Sequence, residues 1–101
     1  MPGRFEELIG RQLDLFERED ADFLARVESA ERDYDRADRE DAEEAFGRVQ
    51  ELVEFGTETL AEMRDAYAHT LDEDGADEYV AEFNAAVHRR LPRFALEIDD
   101  T

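Results

Sequence analysis

His69 is one of two histidines in this chain, and Glu58, Glu62 and Asp65 stand upstream of it at helical spacing. Glu62, Asp65 and His69 fall at i, i+3 and i+7, near one face of a helix. Carboxylates and an imidazole converging in this way would make half of a metal site of the kind built between the helices of a bundle. Carboxylate-bridged di-iron bundles take a Glu-x-x-His pair from each of two helices, and no Glu-x-x-His occurs in this sequence. With 30 Asp and Glu in the chain, some align with a histidine by chance. A simpler explanation is that a cation in the last turn of a helix meets the negative end of the helix dipole. That explanation is preferred, and no metal or other cofactor is expected.

The second cluster is His88-Arg89-Arg90, with Arg93 one turn further on. Arginine binds carboxylates and phosphates bidentately, so Arg89, Arg90 and Arg93 could contact a small anion. The competing explanation is again a helix end, where arginines offset the dipole and pair with neighbouring carboxylates. Against a net charge of −18 the cluster would not hold a nucleic-acid backbone, whose binding is mainly electrostatic. Arg32, Arg36 and Arg39 form a further row, but Asp33, Asp35, Asp38 and Glu40 bracket them closely enough for local ion pairs. Ser29 is the only serine, no hydroxyl has a histidine and an acid at suggestive spacing, and the glycines form no phosphate loop. The chain is therefore not expected to be an enzyme.

The element that must carry most of these residues is a long helix expected over about 39–71. Ala42, Phe46, Val49, Val53, Gly56, Leu60, Met63, Tyr67 and Thr70 recur at alternating steps of four and three. Sustained over about four heptads, that spacing is the seam of a helix packing at a shallow angle against other helices. Gly47 and Gly56 each cost about 1 kcal/mol relative to alanine inside a helix. The register passes through Gly56 unbroken, which favours a continuous helix whose glycine admits a neighbouring backbone or a large side chain. The alternatives are a kink, or a break in which Thr59 and Glu62 restart a helix as a capping box.

Shorter helices are expected around it. The first, about 4–16, shows an apolar stripe of Phe5, Leu8, Ile9, Leu13 and Phe16, with Pro2 suited to its first turn. Glu17 to Asp20 then gives a polar break with Asp20 as N-cap. The second, about 21–34, carries Phe23, Val27, Ala30 and Tyr34. A turn near 35–38 lets Asp38 cap the long helix, and a loop bearing Gly75 follows Leu71. The last helix, about 76–91, presents Val80, Phe83, Val87 and Leu91 until Pro92 ends it. Residues 92–101 form a tail in which Phe94, Leu96 and Ile98 alternate, extended or loosely helical. The expected fold is all-α: one small antiparallel bundle of about four helices around the long one.

Length adds a functional expectation. A helix of about 33 residues spans about 50 Å, more than companions of about 13 to 16 residues can cover in one layer. Its seam must be closed by two companions end to end, or by a second chain in a two-fold dimer. Phe46, Val49, Val53, Gly56, Leu60, Met63 and Tyr67 are the interface residues this implies. The leading function is thus a non-catalytic interaction or oligomerisation module, with a second copy or another helical protein as partner.

Composition supplies the second function class. Acidic residues number 30 and basic residues 12, and every one of the 12 is arginine. Seven Phe and three Tyr at helical spacing exclude a disordered acidic tail. The lysine-free, carboxylate-dense composition resembles that of proteins from salt-loving archaea as a class. At about 1 M ionic strength the Debye length is about 3 Å, so carboxylate repulsion is largely screened. The alternative is that the acidity covers a basic partner, as in an acidic inhibitor or chaperone. The chain has no cysteine, no apolar signal core at its start and no window approaching 18 apolar residues. A cytoplasmic protein without membrane contact is the expectation.

Overall fold

A computed structural model describes residues 3–101, so the expectation for Pro2 lies outside the described residues. The described residues are helical, without strands: α1 Glu6–Glu19, α2 Ala21–Arg36, α3 Ala42–Ala68, α4 Glu73–Arg90, a 3-10 turn at Pro92–Phe94, and α5 Ala95–Ile98. They pack together into a body 50 × 24 × 24 Å.

α1 buries Ile9, Leu13 and Phe16, and Phe5 just before it is buried too, while Leu8 of the expected stripe is half-buried. No side chain caps it; the Phe5 N–H instead donates to Glu82 Oε1 on α4 at 3.0 Å, so a tertiary contact satisfies a donor at the helix start. The expected four-residue break is a single residue. Asp20 alone leaves the helical region (φ −105°, ψ 25°), its N–H still bonds to the Phe16 carbonyl, and its side chain caps nothing. Without Gly or Pro the chain bends here rather than stopping.

α3 has 27 residues, about 40 Å at 1.5 Å per residue, and is shorter than expected at both ends. Asp38 Oδ1 accepts from the Asp41 N–H, so Asp38 closes the preceding turn and the helix begins at Ala42. At the other end, Thr70 and Leu71 donate to the carbonyls of Tyr67 and Ala68, tightening the chain into a turn three residues early. The helix is continuous through both glycines. Thr57 and Thr59 bond back to the carbonyls of Val53 and Phe55, so no capping box forms at Thr59. Gly75 is not a loop residue. Asp72 caps α4 by accepting the Gly75 N–H at 2.7 Å, and α4 begins at Glu73.

The tail is helical rather than extended. Phe94 and Ile98, four residues apart, are fully buried, while Leu96 between them is 88% exposed. An i, i+2, i+4 set of apolar residues suits a strand, but its first and last members also share one helix face. Packing decides between them, because the Phe94 ring edge meets Phe16 with centroids 6.2 Å apart and lies over Gly56.

The companions lie end to end along α3, one of the two ways the seam could be closed. α1, α4, the 3-10 turn and α5 gather at its C-terminal part, around a core of Leu13, Phe16, Leu60, Tyr79, Phe83, Val87, Phe94 and Ile98. α2 lies along its N-terminal part, with Phe23 against Phe55 and Tyr34 against Phe46 at centroid separations of 5.3 and 5.5 Å.

Candidate functional site

The seven seam residues do not form one surface. Gly56 and Leu60 are buried within the chain, and Val53, Met63 and Tyr67 are half-buried against the core. Val49 is half-buried beside α2, and Phe46 is 49% exposed. Exposure rises toward the N-terminal end of α3 because α2 alone covers it there. Phe55, which touches Phe23 at the edge of this pair, is 59% exposed, and Tyr34 on α2 is 41% exposed. The α2–α3 arm therefore carries three large aromatic side chains in substantial contact with water.

Charged groups rim this arm. Arg48 and Glu44 form a 4.0 Å pair, while Arg26, Arg32, Arg36 and Arg39 take part in none of the ion pairs among the described residues. The local pairing expected for Arg32, Arg36 and Arg39 is thus not seen. The hydrogen bond between Asp38 and the Asp41 N–H shows one reason: this carboxylate serves the turn.

The two chemical clusters have different fates. Glu58, Glu62, Asp65 and His69 are all exposed on α3 or just past its end, and Asp65 is held by Arg64 Nε at 2.9 Å. Among the described residues, no three His, Asp or Glu side chains are grouped so as to hold a metal ion. Arg90 donates to Asp14 at 2.7 Å, Glu17 at 3.1 Å and the Gly10 carbonyl at 3.1 Å, which ties the end of α4 to α1. These carboxylates push its pKa further up. Arg93 donates to Glu31 on α2 at 3.0 Å. Arg89 stands apart, lining an open groove of about 460 Å³ between α1 and α4 with Glu82 and Gly10. The three arginines do not act as one anion site, since Arg90 and Arg93 are committed to carboxylates.

Arg64 was not legible as special, yet it is the polar centre of the bundle. It is 3% exposed. Its guanidinium donates to Asp65 Oδ1, to Asn84 Oδ1 at 2.9 Å, and to the carbonyls of Ile98 and Thr101 at 3.1 and 2.7 Å. One arginine thereby joins α3, α4 and the end of the chain. The available signal was its place four residues after Leu60, on the flank of the seam. The nearby phenol of Tyr79 is fully buried and donates to Gln12 Oε1 at 2.7 Å, and burial pushes its pKa up to about 12.

No described helix is long and apolar enough to cross a membrane. Comparison of the chain with protein-family models, curated proteins and solved structures found no match.

Proposed function

We propose that this chain is a non-catalytic self-association module working at high ionic strength, with the α2–α3 arm as its contact surface and a second copy as its partner. The observation that supports this reading is the exposure of Tyr34 and Phe46, which pack on each other where α2 alone covers α3. Exposed aromatic side chains flanked by arginine are among the residue types that dominate interface energetics. Arg26, Arg32, Arg36 and Arg39 are exposed and enter no ion pair among the described residues, so carboxylates of a second copy can meet them. In this reading α2 and α3 form an antiparallel hairpin, and a two-fold axis brings two arms side by side in a small cytoplasmic dimer.

Net charge decides the conditions. Two chains of charge −18 repel in dilute buffer, and screening at about 1 M salt shortens that repulsion to about 3 Å. The same charge favours a second reading, an acidic inhibitor or chaperone that covers a basic protein. Light scattering of untagged protein between dilute buffer and about 2 M KCl separates them by salt dependence. Self-association strengthens with salt, whereas charge-driven capture of a basic partner weakens with it. Protein that stays monomeric throughout contradicts the first reading.

A further inference from the structure

The last ten residues are held by a few strong contacts and opposed by like charge. Phe94 and Ile98 are fully buried, Arg93 pairs with Glu31 of α2, and Arg64 donates to the Ile98 and Thr101 carbonyls. The segment's backbone bonds are short-range: Phe94 to Leu91, Asp100 to Glu97, and Thr101 to Ile98. α5 has four residues, and one turn of helix is not stable by itself. The segment therefore persists only while docked.

Its docking face is crowded with carboxylates. Glu54 and Glu58 of α3 line one open depression of about 280 Å³ with Thr57, Glu97, Asp100 and Thr101. Partial burial, then Glu54 and Glu58, raise the pKa of Glu97 above its usual value. The other charged groups here are Arg64 and Asp65 on α3, Glu31 on α2, and His88 on α4, whose Nε2 lies 3.0 Å from Asp99. Arg64 acts on carbonyls at the far end of α5, so Glu97 has no cation of its own among the ion pairs of the described residues.

We infer that residues 92–101 are a salt-gated strap, docked on α3 when Glu54, Glu58, Glu97 and Asp100 are screened and released as a unit, ahead of the bundle, when they are not. Release uncovers Gly56 and Thr57 and the inner faces of Phe16 and Phe23, an apolar cleft closed at high salt. The inference does not depend on self-association through the arm, because the groups that dock the strap, Phe94, Ile98 and Arg64, are buried within one chain.

Hydrogen–deuterium exchange of the full chain, followed by mass spectrometry, tests it. In dilute buffer the amides of 95–101 exchange about tenfold or more faster than those of α4, after correction for intrinsic rates, and the ratio falls toward one at about 2 M KCl. Glu97→Gln removes most of that salt dependence, and the Glu54→Gln/Glu58→Gln double variant repeats the effect from the α3 side. Glu28→Gln, an exposed carboxylate on α2, leaves it unchanged. Protection that rises in step along the whole chain overturns the strap as a separate unit. Glu97→Gln and the double variant behaving like Glu28→Gln overturns its electrostatic gate.

Discussion

The ring of Phe94 occupies the space that a side chain on residue 56 would need. A Cβ on Gly56 would stand 2.5 Å from Phe94 Cε1, 2.8 Å from its Cζ and 3.0 Å from Phe23 Cε1. The glycine is thus where the C-terminal segment, α2 and α3 come together, and it explains why the seam tolerates a residue that weakens helices.

That contact separates two glycines of the same helix. Gly56→Ala gains about 1 kcal/mol of helix propensity but forces two rigid rings apart, which costs about 1–3 kcal/mol or more, so the variant is less stable. Around Gly47 nothing lies within 4 Å of the added methyl, and Gly47→Ala stabilises by up to about 1 kcal/mol. Urea melts at about 2 M KCl, chosen for charge screening, measure both. Two glycine variants of equal effect would contradict the packing described.

Arg64 makes a second, sharper expectation. Arg64→Met keeps the length of the side chain but leaves Asn84 Oδ1 and the Ile98 and Thr101 carbonyls without this donor. Stability falls by about 1–3 kcal/mol, since one buried and two partly buried acceptors lose a charged donor. Arg64→Lys restores a minor part, because an ammonium cannot span the same acceptors as a planar fork. The same urea melts read the loss, and a neutral Arg64→Met would remove Arg64 from its central role.

Tyr79 makes stability sensitive to alkali. Its phenol ionises near 10.0 when unfolded and near 12 in the fold, where burial disfavours the charged form. Above pH 10 the unfolded chain therefore holds fewer protons than the folded one, and stability falls as pH rises toward 12. Below the unfolded value this contribution is fully present. Tyr79→Phe abolishes this loss and removes the bond to Gln12, at a cost of about 1 kcal/mol at neutral pH. Ultraviolet titration against the Phe variant checks the ionisation, and a Tyr79 signal appearing near 10.0 would contradict its burial.

How far the sequence could be read depends on what each residue's partner was. The all-helical class follows from apolar spacing, because a seam with steps of four and three fits only a helix; the same spacing favours a continuous α3 but leaves a kink at Gly56 open. Helix ends were harder. Asp38 suits a cap and a turn equally, and Gly75 looks like a loop until Asp72 is seen holding its N–H inside the first turn of α4. The tail was ambiguous since Phe94, Leu96 and Ile98 fit either period. Arg64 was invisible because its acceptors lie 34 and 37 residues away and are backbone carbonyls, which carry no sequence signature. The seam residues were correctly apolar, but which of them stay exposed depends on where α2 stops and α4 begins.

Self-association through the arm is tested most directly by the mass of the protein in solution. Light scattering after size exclusion at about 2 M KCl is predicted to give twice the chain mass of 11.7 kDa. Phe46→Ser is predicted to return it to the monomer with little loss of melting temperature, since Phe46 is half exposed within one chain. A wild-type protein that remains at 11.7 kDa at every concentration in high salt, or a Phe46→Ser variant as dimeric as its parent, would contradict the proposal.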